Sequence, residues 1–67
     1  MSNSLTVLRE NKQYTQALLA EKLGVSRQAV SSWETGTRTP PLKVAIAIAQ
    51  LMEVNVEDIV FGTKKME

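Results

Sequence analysis

Sixty-seven residues suffice for one core and no second domain, and a domain of this size buries only about 60% of the surface its unfolded chain exposes, so tight helix packing or a partner subunit has to stabilise it. The chain has no cysteine and no histidine, which excludes disulfides, thiol and imidazole catalysis and the commonest zinc sites. Its seven carboxylates are scattered, with no calcium-loop spacing and no glycine-rich phosphate cradle, so the sequence reads as that of a non-enzyme using no metal and no cofactor.

A hydrophobic fraction of 43% with 22% charged residues suits a folded chain. The longest uncharged stretch, 44–52, has nine residues, too few to span a bilayer, and the first residues lack the basic start and apolar run of a secretory signal. A cytoplasmic protein with no membrane partner is expected. The net charge of +1 hides an asymmetry: residues 1–43 carry six Lys/Arg against three acids, and residues 44–67 carry two against four. An anionic partner is expected for the first part, and the acidic remainder is left for another contact.

Five short helices are read along the chain. Ser4 caps a first helix that buries Leu5 and Leu8, with 11–13 as its polar exit. Thr15 caps a second, in which Leu19, Ala20 and Leu23 share a face, Tyr14 packs on Leu19 as a hydrophobic staple, and Gly24 stops the helix in the left-handed conformation. Ser26 follows after one residue and caps a third helix running to Thr35, closed by Gly36. Residues 37–39 form a polar loop, and Pro40-Pro41 opens a fourth helix with the stripe Leu42, Ala45, Ile48, Ala49, Met52. Here Val44, Ile46 and Ile48 alternate with alanines as a strand would, but the alanine content and the Pro-Pro entry favour helix. Asn55 caps a fifth helix with Glu57 and Asp58 in its first turn and Ile59 and Val60 inward. Residues 62–67 are expected to be a flexible tail.

Residues 15–36 carry the functional signal. Two short helices joined by a three-residue turn cross steeply, so residues at their contact must be small, and Ala20 and Gly24 meet that demand. Val30 and Trp33 then face the core, which leaves Arg27, Gln28, Ser31, Ser32 and Thr35 on the opposite, polar face. Arg27 in a first turn is disfavoured by the helix dipole, so it is either an ordinary solvated residue or one that an anionic partner recommends. For Gln28 and Gln16, spacing alone does not separate an ordinary surface glutamine from a functional one.

The pattern Thr15-Gln16, Leu19-Ala20, Gly24-Val25-Ser26-Arg27-Gln28, Val30-Ser31, Trp33-Glu34, Gly36 and Pro40 resembles the helix-turn-helix of the Cro/C1-type (XRE) family of phage and bacterial repressors, over residues 5–61. Pro41, Leu18 and Glu53 depart from that pattern. The resemblance implies an all-α, five-helix, lambda-repressor-like domain over 1–67, with its helix-turn-helix at 16–35. It also implies a partly buried ion pair between Arg9 and Glu34, and a third helix whose first turn enters the major groove.

On that basis the chain is expected to be a sequence-specific regulator of transcription that binds double-stranded DNA. Arg27 and Gln28 read base edges, Ser31 and Ser32 make lesser contacts, and Gln16, Arg38, the hydroxyls of Thr35, Thr37 and Thr39 and the N–H groups near Ser26 hold phosphates. Lys12 and Lys43 add charge at the rim. One helix reads too few base pairs to select a site, so a homodimeric repressor on a pseudo-palindromic operator is expected, joined through 51–62, where Leu51, Val56 and Phe61, with Ile46 nearby, look surplus to the core. The alternative is a protein-interaction module of the same fold, such as the antitoxin of a toxin–antitoxin pair; the short tail argues against it.

Overall fold

In the computed structural model, which describes residues 3–61 and 64–65, each of the first three helices starts at the hydroxyl expected of it. α1 (Leu5–Asn11) is opened by Ser4, whose Oγ accepts from the Val7 N–H at 3.1 Å. α2 (Gln16–Leu23) is opened by Thr15, which accepts from the Leu18 N–H at 3.0 Å. α3 (Arg27–Thr35) is opened by Ser26, which accepts from the Ala29 N–H at 3.1 Å. Helices of seven to nine residues are unstable alone in water, so these caps, about 1 kcal/mol each, and the burial of one face hold them. α4 (Leu42–Met52) follows Pro41 with no side-chain cap, and the ambiguous alternation over 44–48 is helical.

Three helix ends share one hydrogen-bond pattern. After α1, α2 and α4, the residues Gln13, Gly24 and Glu53 take positive φ (61°, 73° and 62°). Beyond each, an N–H reaches back five residues: Tyr14 to the Arg9 carbonyl at 3.1 Å, Val25 to Ala20 and Val54 to Ala49 at 3.0 Å. This is the Schellman ending, and glycine adopts it without the cost that Gln13 and Glu53 carry. A Cβ built on Gly24 would meet nothing within 4 Å. Gly24 therefore serves the backbone of the turn, and the expectation that close helix approach requires it is corrected.

Leu5, Leu19, Val30, Ala45, Ile48 and Ile59 are wholly buried, with Trp33, Met52 and Phe61 nearly so. Tyr14, Leu23 and Val25 close over that cluster, and the Lys22 ammonium sits 5.4 Å from the Tyr14 ring centre, an arrangement that suits a cation on an aromatic face.

The fifth helix is not there. After α4, Val56–Asp58 makes a single 3-10 turn, with no side-chain cap from Asn55, and Ile59–Phe61 is a strand. In chain order the strands are β1 (Asn3–Ser4), β2 (Ile59–Phe61) and β3 (Lys64–Lys65). β2 lies in the middle, parallel to β1 with Ser4 opposite Val60, and antiparallel to β3 with Phe61 opposite Lys64. Ile59 and Phe61 are both buried while Val60 between them is half-buried; a two-residue period fits a strand, whereas a helix would turn those two side chains to opposite sides. The domain is thus mostly helical, with four helices and a small sheet among the described residues. Of the tail expected to be flexible over 62–67, Lys64 and Lys65 belong to β3, and Gly62, Thr63, Met66 and Glu67 lie outside the described residues.

Candidate nucleic-acid interface

Val30 and Trp33 seat α3 in the core, and the turn 24–26 fixes its crossing on α2, so the remaining face of α3 is presented outward on a rigid support. Arg27, Gln28 and Thr35 are exposed, and Ser31 and Ser32 are half-buried. Alongside runs an open groove of about 770 Å³ between α3 and the chain at 37–41. Ser26, Gln28, Ser31 and Ser32 line it from the helix side, Thr37, Arg38 and Thr39 from the loop, and Trp33 and Pro41 also border it. Seven of the expected site residues thus share one concavity. Arg27, Thr35 and Gln16 lie outside it.

The loop is fastened to α3 by a chain of hydroxyls. Thr35 Oγ1 donates to the Ser32 carbonyl at 3.2 Å and lies 3.0 Å from Thr37 Oγ1. A hydroxyl has one hydrogen, and that of Thr35 is on Ser32, so Thr37 is the donor between the two. The Arg38 N–H also reaches the Ser32 carbonyl, at 3.3 Å. Both threonine hydrogens are spent inside the protein, and in this arrangement Thr35 and Thr37 shape the loop that carries Arg38 and Thr39.

Behind α3 lies the ion pair that the family resemblance implies. Arg9 Nε is 2.6 Å from Glu34 Oε2 and Arg9 Nη2 is 3.2 Å from Oε1, with side-chain exposures of 12% and 6%. Two partners were missed in the sequence: Thr6, whose Oγ1 donates to Glu34 Oε1 at 3.0 Å, and the Tyr14 carbonyl, which accepts from Arg9 Nη1 at 2.8 Å. Thr6 stands three residues before Arg9, a spacing that puts both on one helix face, and this was the available signal. Gln16 turns inward here: its Nε2 donates to Glu34 Oε1 at 3.1 Å. Burial of the Glu34 carboxyl opposes its ionisation, but the hydrogen bonds from Arg9, Gln16 and Thr6 and the charge of Arg9 outweigh that, and hold it below the usual carboxylate range. The Arg9 guanidinium is correspondingly raised, first by its hydrogen bond to Glu34 and against the effect of burial. Lys12, expected at the DNA rim, instead meets Glu53 at 3.2 Å, joining the ends of α1 and α4; Lys43 is exposed.

A polar helix first turn, two exposed arginines and a groove lined by hydroxyls are groups able to contact base edges and phosphates. Among the described residues no group of acids could hold a metal ion, and no helix is long and apolar enough to cross a membrane. Two short packed helices joined by a tight turn, with the second offered outward, define the helix-turn-helix class of DNA-binding modules.

The family model described as Helix-turn-helix matches residues 7–59. The chain is 46% identical over 59 residues to the uncharacterized HTH-type transcriptional regulator MJ0272 of Methanocaldococcus jannaschii, covering 88% of this chain and 89% of that one. It is 36% identical over 61 residues to the HTH-type transcriptional activator BcrR of Enterococcus faecalis, covering 91% and 30%. It is 35% identical over 54 residues to the HTH-type transcriptional regulator DicA of Escherichia coli, covering 81% and 40%. The chain belongs to the Cro/C1-type helix-turn-helix family of DNA-binding transcriptional regulators. It spans most of the archaeal relative and less than half of the other two.

Proposed function

We propose that the protein is a small homodimeric repressor that acts in the cytoplasm on a pseudo-palindromic DNA operator. The observation that carries this reading is the exposed pair Arg27 and Gln28 at the start of a helix held rigidly from behind, beside a groove that ends in Arg38. An α-helix fits the major groove, where Gln bonds adenine N6/N7 and Arg bonds guanine O6/N7. In this reading Arg27 and Gln28 read bases, Ser31 and Ser32 add lesser contacts, and Arg38, Thr39, Gln16 and the N–H groups at Ser26 hold phosphates. Thr35 and Thr37 contribute lone pairs and the shape of the loop.

A second copy supplies the other half-site. Leu51, Val54, Val56 and Val60 are half-buried in the monomer, which supports an interface over 51–62. Phe61 takes no part in that surface, because it is 3% exposed and belongs to the core. The antitoxin alternative gains no support, since the relatives carry names of transcriptional regulators.

Selection of bound sites from random duplex DNA tests the proposal. The expected result is an inverted repeat whose half-sites lie about 34 Å apart, one helical turn. A single unrepeated half-site, or no enrichment at all, would overturn the homodimer or the DNA reading respectively.

A further inference from the structure

We infer that Thr6 is a positioning residue for the phosphate contact of Gln16, a role that rests on the DNA-binding reading above. Glu34 Oε1 accepts from three side chains at once: Thr6 Oγ1 at 3.0 Å, Gln16 Nε2 at 3.1 Å and Arg9 Nη2 at 3.2 Å. Of these, Gln16 alone is the first residue of a helix in the reading unit, α2.

The carboxylate sets which way round the Gln16 amide stands. Turned over, the amide would place its carbonyl oxygen against an ionised oxygen, two acceptors facing one another. With one hydrogen of Nε2 on Glu34, the second is left to donate away from the carboxylate, and a phosphate oxygen requires a donor. The Glu34 carboxylate therefore has to hold still for Gln16 to be preset, yet the last torsion of a glutamate is broad and roughly two-fold. Arg9 grips it from one side with two bonds, and Thr6, three residues earlier on α1, adds a third from the same helix. In this way α1, which lines no part of the groove beside α3, fixes the donor that α2 offers to the backbone. A donor fixed before binding spares the ordering cost of a free glutamine side chain.

The test compares Thr6→Val, which keeps the shape and removes the hydroxyl, with Thr6→Ser, which keeps the hydroxyl. Gln16→Ala and the double variant Thr6→Val/Gln16→Ala complete a cycle. Affinity is measured on the selected operator and on a scrambled duplex, well below the melting temperature of every variant. Thr6→Val is expected to weaken binding by about three- to tenfold on both duplexes, as one net hydrogen bond would. Thr6→Ser should restore it, and Thr6→Val should add nothing in the Gln16→Ala background. An equal loss from Thr6→Val with and without Gln16, or no loss at all, overturns the inference. If Gln16→Ala binds like the parent, the inference falls while DNA binding stands; if the parent binds no duplex, the functional reading itself falls.

Discussion

Arg9 and Glu34 face each other across the junction of α1 and α3, with Nε 2.6 Å from Oε2, and Arg9 also closes a reciprocal pair with Tyr14, its carbonyl accepting the Tyr14 N–H while its Nη1 donates to the Tyr14 carbonyl. One side chain thus fastens the reading helix to the first helix and to the turn that precedes the second. Removing either partner leaves the other charge largely buried, and Arg9→Ala or Glu34→Ala is expected to cost about 3 kcal/mol. Urea denaturation checks this. Arg9→Met combined with Glu34→Leu should cost less than either alanine variant, because no charge is then stranded; unchanged stability in both single variants would show that the pair contributes nothing.

Acid sensitivity follows from the lowered Glu34 pKa. Above the unfolded value, about 4.3, the carboxylate is ionised in both states and its contribution is complete. As pH falls through that value the unfolded chain takes up a proton that the native one refuses, and stability is lost until the native carboxyl itself titrates at lower pH. Thermal melts between pH 6 and pH 3, on the order of one-unit steps, should fall more steeply for the parent than for Glu34→Gln. Parallel curves would remove Glu34 as the source.

Base reading and backbone holding are separable by their response to salt. Gln28→Ala should cost about 1 to 3 kcal/mol on the operator and little on scrambled DNA, with relaxed preference at one position of each half-site. Arg38→Ala should weaken both duplexes alike and reduce the slope of log affinity against log salt by about one per monomer. An equal loss on both duplexes for Gln28→Ala would move base reading to Arg27 and Ser32.

The turn glycine is expected to answer to its backbone angle alone. Gly24→Ala should cost about 1 to 2 kcal/mol from positive φ, with the solved variant showing no displaced neighbour. At Gln13, which holds the same conformation with a side chain, Gln13→Gly should raise stability by about 0.5 kcal/mol, the relief of φ being partly offset by a freer unfolded chain. A larger loss at Gly24 accompanied by a shifted α3 would mean that the site is crowded after all.

What could be read from the residues depended on how local its cause is. Ser4, Thr15 and Ser26 act on N–H groups three residues away, and all three caps were legible. The left-handed Gln13 and Glu53 were not, since neither residue type marks that conformation. Asn55, Glu57 and Asp58 imitate a capped helix start, and nothing nearby says that Ile59 and Phe61 will alternate about a strand whose partner, Ser4, lies at the other end of the chain. At the interface, the outward face of α3 followed from the inward placing of Val30 and Trp33. The inward turn of Gln16 and the hydroxyl chain of Thr35 and Thr37 depend on tertiary contacts and hydrogen-bond accounting that spacing does not carry.

The pairing of Ser4 with Val60 bears on the order of folding. Loops that long are the costliest to close, whereas α2 and α3 are neighbours in sequence. The helix pair that reads DNA is therefore the part able to form first, and the seam between β1 and β2 closes last.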